Sequence, residues 1–597
     1  MDKGDKYSNI KVAELLRAVA TAYELKDKSG NKFRIIAYSR AADAIEHLSS
    51  DIKDIYDEGK LADIPGVGES IAKHLKDLIS KGRSRHFDSV MSKINKSIFK
   101  LVEIPGIGPK TAYNISKNIR LSEKDPIGSL FKACKKNMLI KIEGFGEDSQ
   151  KSILQSIKEY MSRDKRMLLN YAITISEEIV EWLKKSKDAI DVNTLGSLRR
   201  KCSTIGDIDI SVSSNNIESV LEHFIKYPKT KRVVEKGERT ASIIIPNGYQ
   251  IDIMVQKPDS YGALLQHFTG SKHHNIALRE YARSLSPSLS ISEYGIRNLE
   301  NKKLKKVINE EQFYEELKMK YIPPELREDM GEIEASINNN LPDLINLDDV
   351  KSDLQIHSNF NIETSHDLGL SGYKEIVKKA DSLGYEYIAF TDHNPSHGRH
   401  NSDQILEILK RKKESVEKLN YSLKNIELKN MKHVFNSLEI DIMPDGKLSI
   451  PDRALEFLDF CLISIHSSFR LSKISMTKRI LNAFSNQKTK IFAHPLSRKI
   501  NEREGIELNW NDIFNYCIKN NKWLEINADP MRLDLPDFLV KEAVKYGVKI
   551  TLGTDAHHVD HMDNMKYGTY VAQRGWAEKK DIINSLNYIK FLEALNL

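Results

Sequence analysis

Apolar residues change their spacing along the chain, and each change predicts a different kind of structure. Between residues 11 and 50 they recur at helical spacing, as in VAELLRAVATAYEL and AYSRAADAIEHL, which predicts a helical bundle. From about residue 190, short β-branched runs such as IGDIDISV, TASIII and YQIDIMV predict the strands of a sheet. After residue 350, strand-like and helical runs alternate, which predicts a βα barrel or a layered sheet.

A turn motif is repeated within the helical region. DIPGVGESIAKHL at 63–75 and EIPGIGPKTAYNI at 103–115 share the order apolar, Pro, Gly, apolar, Gly, and KIEGFGEDSQKSIL at 141–154 is a weaker copy. Glycines at the point where a turn meets a helix N-terminus expose backbone N–H groups that can hold a phosphate. The repeats resemble helix-hairpin-helix motifs. The residues expected to contact the DNA backbone are Gly66, Gly68, Gly106, Gly108 and Lys110.

Composition narrows the class of protein. The 597 residues suggest three to five domains, and no apolar run is long enough to span a bilayer. Residues 1–170 carry 32 Lys and Arg against 23 Asp and Glu, so the positive charge of the chain, +7 overall, is concentrated in this region. A basic region favours contact with phosphates. The N-terminus has no signal sequence and the cysteines form no CxxC pair, which predicts a cytoplasmic protein. The cysteines, expected to be small buried residues, are Cys134, Cys202, Cys461 and Cys517.

Three aspartates have the spacing of a metal site. Asp207 and Asp209 are two residues apart in a predicted strand, so their side chains leave the same face. Asp252 lies in a second alternating run and joins them if the two strands are neighbours. Three carboxylates on one face suit two Mg²⁺ ions that activate a 3′-hydroxyl and steady a leaving pyrophosphate. Two exposed strand acids would explain the DxD pattern alone, so the neighbouring sequence decides between these interpretations.

That neighbouring sequence carries a nucleotidyltransferase signature. In LGSLRRKCSTIGDID, Gly196 permits close backbone approach, Ser197 can donate to a terminal phosphate and Arg200 can neutralise triphosphate charge. YGALLQHFTGSKHHNIALR follows downstream. Together these segments resemble the X family of DNA polymerases, the group of DNA polymerase beta, over residues 1–325. The resemblance implies a repair polymerase that takes dNTPs and gapped or primer-template DNA, acts as a monomer and uses Asp207, Asp209 and Asp252 as catalytic metal ligands.

The resemblance also assigns the nucleotide site, with two departures. Ser197, Arg200 and Gly270 would hold the triphosphate. Beside the sugar lie His267 and Phe268, and on the minor-groove side of the new base pair lie Asn275 and Arg279. His267 replaces an expected Tyr, which affects discrimination against ribonucleotides. Gln250 replaces an Arg that commonly precedes the third aspartate, which alters the charge around it.

The helical N-terminus resembles the lyase domain of the same family, which binds the 5′ side of a gap. Some members use a lysine Schiff base there to remove a deoxyribose phosphate. The expected lysine falls on His74, and Lys73 beside it lies on a different helical face. We therefore predict 5′-phosphate binding without lyase chemistry.

Histidines and acids end most of the predicted strands after residue 350. In that order, the segments DLQIHS, FTDHN, SLEIDI, ISIHSS, FAHPLS and GTDAHH resemble a polymerase-and-histidinol-phosphatase (PHP) domain, a metal-dependent phosphoesterase. Fused to a repair polymerase, such a domain is expected to trim DNA 3′ ends. The resemblance implies Mn²⁺ or Zn²⁺ as the ion. The implied ligands are His357, His393, Glu439, His466, His494, Asp555 and His557. The usual HxH opening reads Gln355-Ile356-His357, and the usual SDG is replaced by a segment in which His366 or Asp367 could substitute.

The predicted fold is a multidomain α+β protein: helical helix-hairpin-helix domains, a palm with a mixed sheet and a thumb, and a distorted (β/α)₇ PHP barrel. The predicted boundaries are 1–85 lyase-like, 86–165 fingers-like, 166–260 palm, 261–325 nascent-base-pair subdomain, 326–349 linker and 350–597 PHP domain. The alternatives are a nucleotidyltransferase acting on tRNA or a small acceptor, a DNA-binding scaffold, a polymerase with an inactive PHP domain, and a phosphoesterase for small substrates. The repeated PGxG turns and the three aspartates favour the repair polymerase.

Overall fold

The chain forms a mixed α+β protein of more than one domain. The computed structural model describes residues 9–46, 52–57, 59–64, 66–92, 94–102, 104, 107–162 and 166–596. The chain divides into two compact units, the first comprising Met1–Met167, Tyr171–Asn193 and Gly206–Val255, and the second Leu168–Asn170, Thr194–Ile205 and Gln256–Leu597. The predicted palm region therefore contributes to both units. No described helix is long and apolar enough to cross a membrane.

The first unit begins with a series of helices. Their bounds are α1 Asn9–Asp27, α2 Lys32–Glu46, α3 Ile52–Asp57, α4 Glu69–Lys81, α5 Arg85–Met91, α6 Ser97–Leu101, α7 Pro109–Asn118, α8 Pro126–Lys135 and α9 Glu147–Ser162. Their apolar faces build two cores, one from buried residues between Val12 and Val90 and one from buried residues between Ile98 and Ile157. The helical periodicity predicted for this region is confirmed.

The PGxG turns lie where the sequence predicts them. Gly66 has a φ of +85°, a conformation that glycine adopts without the steric cost of a Cβ, and Gly68 directly precedes α4. Gly108 directly precedes α7, in which Lys110 is the second residue. Gly106 lies outside the described residues.

A five-stranded sheet follows the helices. Its strands are β2 Asp191–Thr194, β4 Ile208–Ser213, β5 Arg232–Lys236, β6 Thr240–Ile244 and β7 Gln250–Gln256. The same stretch of the chain also contains the helices α10 Leu169–Lys184, α11 Gly196–Arg199 and α12 Ile217–Ile225 and the two-residue strands β1 Met167–Leu168 and β3 Thr204–Ile205. Among the described residues the strand order is β2-β4-β7-β6-β5. Strands β5, β6 and β7 pair antiparallel. Because β4 and β7 are neighbours, the condition for a shared carboxylate site is met.

A small helical and antiparallel region opens the main part of the second unit. Its elements are α13 Tyr261–Thr269, α14 Lys272–Ser284, β8 Leu289–Ser292, β9 Gly295–Asn298, β10 Leu304–Lys305, α15 Glu310–Glu316 and α16 Glu332–Ile337. One apolar core joins residues from Ala263 to Ile333, and Trp576 packs against it. The segment predicted as a linker, 326–349, is ordered: it contains α16 and the buried side chains of Arg327 and Glu332.

The C-terminal region alternates strands and helices as predicted. Its elements are β11 Ser352–Ile356, α17 Tyr373–Ser382, β12 Tyr387–Phe390, α18 Ser402–Ser422, β13 His433–Asn436, β14 Glu439–Asp441, β15 Cys461–Ser464, α19 Lys473–Phe484, β16 Thr489–Phe492, α20 Trp510–Asn520, β17 Trp523–Asn527, α21 Asp537–Tyr546, β18 Ile550–Gly553, α22 Met565–Arg574 and α23 Tyr588–Leu595. The strands pair in parallel as β11-β12-β13 and β14-β15-β16-β17-β18.

Two parallel bridges connect these sheets, His393 with Glu439 and Ile356 with Ala556. The second bridge brings the chain just after β18 to the end of β11, so the first and last strands are adjacent. The run VFNSLEIDI, which looks like one strand in the sequence, forms β13 and β14 with a break at Ser437 and Leu438. All strands therefore present their C-terminal ends to one side.

Candidate functional site

The three aspartates meet on the sheet of the first unit. Asp209 lies in β4, Asp207 directly precedes that strand, and Asp252 lies in the adjacent β7. One carboxylate oxygen from each residue lies within 4.8 Å of the other two. Asp207 is exposed and the other two are half-buried, so the group opens toward solvent.

The electrostatics of this group favour a cation. Burial and the neighbouring carboxylates of Asp207 and Asp252 raise the pKa of Asp209 to about 7. Asp252 accepts hydrogen bonds from the Gln250 amide at 3.0 and 3.1 Å and from the Ser242 hydroxyl. Gln250 thus contacts the carboxylate as a neutral donor. Carboxylate oxygens are the donors that a hard divalent ion such as Mg²⁺ prefers.

A pH dependence of stability follows from this crowding. The folded protein retains a proton on Asp209 that the unfolded chain loses above its ordinary pKa of 3.8, so the free energy of unfolding falls as pH rises from that value toward about 7. The substitution Asp209→Asn removes the titrating carboxyl group, so the variant does not lose stability in this way as pH rises. In EDTA we expect the variant to melt several degrees above the parent at pH 8, with a smaller difference at pH 5. Asp191→Asn, an exposed acid on the same sheet, is the matched control; equal melting of parent and Asp209→Asn at pH 8 would contradict the prediction.

The loop predicted to hold a triphosphate belongs to the second unit. Ser197 is the second residue of α11, which starts at Gly196. The Arg200 guanidinium donates from Nε to Glu328 Oε1 at 2.9 Å and from Nη1 to the carbonyl of Thr269. Gly270 follows with a φ of +70°, and a Cβ there would lie 3.0 Å from Arg200 Nη1. A side chain at Gly270 would therefore both strain the backbone and crowd Arg200.

The remaining predicted nucleotide residues lie on α13 and α14. The rings of His267 and Phe268 pack edge to face with centroids 4.9 Å apart. Burial lowers the pKa of His267, so it is neutral at physiological pH. Asn275 is held in place because its Nδ2 donates to the His267 carbonyl at 2.7 Å and its Oδ1 accepts from Gln266 at 2.8 Å. Arg279 lies one turn further along α14 and is half-buried.

Sequence reasoning missed the partners of this loop. Arg199 donates to Glu310 Oε2 and to Thr269 Oγ1, both at 2.6 Å. Glu310 in turn accepts from Arg327 at 2.6 Å. Glu310 lies 111 residues from Arg199 in the chain, so no local pattern could pair these two residues. Cys202 also differs from its expected place, since it is half-buried beside Glu328 while Cys134, Cys461 and Cys517 are buried.

The lyase position in the N-terminal helices holds a pair of imidazoles. His74 on α4 stacks on His86, with ring centroids 4.1 Å apart and planes 4° apart. Burial lowers the pKa of both residues. The neighbouring His86 lowers the pKa of His74 further, and the charge of Arg34 lowers the pKa of His86 further. Lys73 is exposed on another face of the helix.

Six of the seven predicted ligands of the C-terminal region lie just after a strand, and the seventh, Glu439, is the first residue of β14. Each of the seven belongs to at least one cluster of three whose donor atoms lie within 4.8 Å of one another. The clusters are His357–His393–His557, His366–His393–His466, Glu439–His466–His494 and His357–Glu439–Asp555. Of the two candidates for substitution, His366 joins a cluster, whereas Asp367 joins none among the described residues.

Glu439 is the centre of this arrangement. Its Oε1 lies 2.8 Å from His494 Nε2 and 3.3 Å from His466 Nε2. Its Oε2 lies 3.4 Å from His357 Nε2 and 3.5 Å from His393 Nδ1. One carboxylate thus faces two pairs of imidazoles, the arrangement of a ligand shared between two ions.

The donor set fits divalent cations. The Nδ1 atoms of His357, His393 and His494 are buried without a hydrogen-bond partner. Burial opposes a charge on His357, but Asp555 and Glu439 outweigh it and raise its pKa to about 10. A positive charge is therefore favoured at this position, and mixed imidazole and carboxylate donors suit Mn²⁺ or Zn²⁺.

Gln355 places a hydrogen-bonded amide where the family resemblance predicts a metal-binding histidine. Its Nε2 donates to Glu439 Oε2 at 3.1 Å, and its Oε1 accepts from Asn527 Nδ2 at 3.1 Å. Asp441, which sequence reasoning missed, accepts from His366 Nε2 and His466 Nδ1, each at 2.7 Å. The available signal was its place two residues after Glu439 on a strand, which puts both on one face.

Comparisons with known proteins identify these parts. Family profiles match the DNA polymerase beta thumb at residues 264–328, a helix-hairpin-helix domain at 8–84 and a SAM-like helix-hairpin-helix tandem at 99–159. The chain is 31% identical over 585 residues to the DNA polymerase/3′–5′ exonuclease PolX of Bacillus subtilis (strain 168), covering 98% of each protein. It is 24% identical over 324 residues to DNA polymerase lambda of Rattus norvegicus, covering 50% of this chain and 51% of that protein.

The thumb and the paired helix-hairpin-helix domains define a DNA polymerase. The chain belongs to the X family of DNA polymerases, and its similarity to the Bacillus PolX extends through the C-terminal region as well. The family resemblance and the helix-hairpin-helix motifs predicted from the sequence are confirmed.

Proposed function

We propose that this protein fills gaps in DNA by adding nucleotides to a primer 3′ end and trims 3′ ends with its C-terminal domain. The observation that carries the polymerase half is the group of three carboxylates on adjacent strands of one sheet. Asp207, Asp209 and Asp252 would hold two Mg²⁺ ions. Bound there, the ions would neutralise charge on the triphosphate and lower the pKa of the attacking 3′-hydroxyl.

The other residues predicted for the polymerase would bind and orient the incoming nucleotide and the DNA. Ser197, Arg200 and Gly270 would hold the triphosphate, since a guanidinium and a close backbone suit phosphate oxygens. His267 and Phe268 would flank the sugar, and Asn275 and Arg279 would contact the new base pair. The N-terminal glycine turns would hold the DNA backbone, and the helices around His74 the 5′ side of a gap. The monomeric state and the cytoplasmic location expected from the sequence stay predictions.

Gap filling can be tested directly. We expect extension of a primer across a one-nucleotide gap with Mg²⁺ and the complementary dNTP, and weaker use of non-complementary dNTPs. A tRNA and a small hydroxyl acceptor serve as competing substrates. Equal incorporation of all four dNTPs would favour a non-templated transferase, and extension confined to tRNA would overturn the polymerase proposal.

For the C-terminal region we propose a PHP-type barrel with Mn²⁺-dependent 3′–5′ exonuclease activity. The support is the parallel strands joined by two bridges and the clusters at their ends. His357, His393, Glu439, His466, His494, Asp555 and His557 would hold the ions, which when bound would activate water and neutralise a scissile phosphate. Asp441 would orient His466 through the hydrogen bond to its Nδ1. His366 would supply an imidazole beyond the expected set.

Gln355 makes the strength of this centre testable. Gln355→His should lower the Mn²⁺ concentration that gives half-maximal 3′ hydrolysis, because an imidazole would face Glu439 where the amide now donates a hydrogen bond. We expect roughly a tenfold decrease, within the range seen when groups around metal sites change. The control is Gln355→Leu, which removes the amide without adding a ligand and should bring no gain. If parent and Gln355→His fail to cleave DNA at every Mn²⁺ concentration, the exonuclease proposal is wrong and the chain is a polymerase with an inactive PHP domain.

A further inference from the structure

Helix α22 of the C-terminal region contacts the loop that carries Arg200. Arg574, the last residue of α22, donates from Nη1 to the Arg200 carbonyl at 2.8 Å and to Glu328 Oε1 at 2.9 Å. One turn earlier on the same helix face, the Tyr570 ring lies 4.9 Å from the Lys201 ammonium. Two consecutive turns of α22 therefore contact two consecutive residues of the nucleotide loop.

Glu328 lies between two guanidinium groups. Its Oε1 accepts from Arg200 Nε and from Arg574 Nη1, both at 2.9 Å. Burial alone would raise the pKa of Glu328, but Arg574 and Arg200 outweigh it and lower that pKa below its ordinary value, so the carboxylate is charged. The side chains of Arg200 and Arg574 are only 12% and 9% exposed, so water screens these pairs less than it screens surface pairs.

Asp537 completes the network on the far side. It accepts from Arg574 Nε at 2.7 Å and pairs with Arg574 Nη2 at 2.6 Å. Both nitrogens contact the same oxygen, Asp537 Oδ2, on the side of the Arg574 guanidinium away from the Nη1 that donates to the loop. Arg200 has five N–H donors, and its described partners, Glu328, Thr269 and the Cys202 sulfur, use three of them. The others remain for a phosphate.

We propose that Glu328 and Arg574 are positioning residues for nucleotide binding, so that the C-terminal domain holds the polymerase's Arg200 ready for the triphosphate. The inference rests on the proposed role of Arg200. Without Arg574, the Arg200 carbonyl loses a donor. The Glu328 carboxylate then has Arg200 as its one guanidinium partner and competes with phosphate for it. Both effects weaken binding of the incoming nucleotide and leave the hydrolytic centre untouched.

The test is single-nucleotide gap filling by the full chain. We expect Arg574→Ala to raise the KM for the complementary dNTP roughly tenfold, with a smaller change in kcat, because an interaction that orders the ground-state site is lost. The affinity for gapped DNA and the Mn²⁺-dependent hydrolysis rate should match the parent. Lys579→Ala is the matched control: it breaks an ion pair between the C-terminal region and Asp349, 2.9 Å long, that does not contact the loop. That variant should keep the parental KM.

Further variants make the result decisive. Combining Arg574→Ala with Glu328→Gln should raise KM by less than the product of the single effects, since both act on Arg200. If Arg574→Ala does not fold, Asp537→Asn, which frees the guanidinium but keeps its charge, should raise KM in the same direction. A parental KM in a folded Arg574→Ala or Asp537→Asn variant overturns the inference. Absence of gap filling by the parent would instead overturn the proposed function.

Discussion

Asp209→Ala is expected to abolish nucleotide addition while leaving binding to gapped DNA close to that of the parent. Asp209 lies in the group with Asp207 and Asp252, and its loss removes one of three carboxylates that would hold the ions. Losing several kcal/mol of charge stabilisation in the transition state corresponds to a fall in rate of about a thousandfold or more. The measurement is single-turnover gap filling with Mg²⁺.

The control is Asp191→Ala, an exposed acid on β2 of the same sheet that is not in the group. It should extend primers at the parental rate. Binding of both variants to gapped DNA is measured by titration at a fixed salt concentration, because phosphate contacts make the affinity salt-dependent. Normal extension by Asp209→Ala would contradict the assignment of the polymerase site.

Glu439→Gln is expected to eliminate Mn²⁺-dependent hydrolysis of DNA 3′ ends while gap filling continues at the parental rate. The two oxygens of Glu439 face different pairs of histidines, so the neutral amide weakens two ion positions at once. The change keeps the shape of the side chain, which limits its effect on folding. Release of nucleotides from a labelled 3′ end is measured across a range of Mn²⁺ concentrations.

Adjacent histidines provide the matched pair of controls. His557 belongs to a cluster, whereas the half-buried His558 beside it belongs to none of these clusters and pairs with Asp560. His557→Ala should reduce hydrolysis strongly and His558→Ala should not. Equal effects of the two substitutions, or full hydrolysis by Glu439→Gln, would place the exonuclease activity elsewhere in the chain.

Local patterns predicted a large part of this protein. The period of two in IGDIDISV predicted that Asp207 and Asp209 share a face, and the structure places them together. The alternation after residue 350 predicted parallel strands with histidines at their ends, which are found. The break between β13 and β14 was not predictable, because an apolar run does not show where its hydrogen-bond partner changes from one neighbouring strand to the other.

By itself the sequence determined the family, the helix-hairpin-helix turns and most residues of both candidate sites, because these depend on residue type and on short spacings. Only the tertiary structure decided which distant charges meet. It placed His366 in a cluster, brought Asp441 to two imidazoles, and joined Arg200, Glu328 and Arg574 across more than three hundred residues of chain. Buried charges need partners, and the partner is selected by packing between elements that no spacing along the chain encodes.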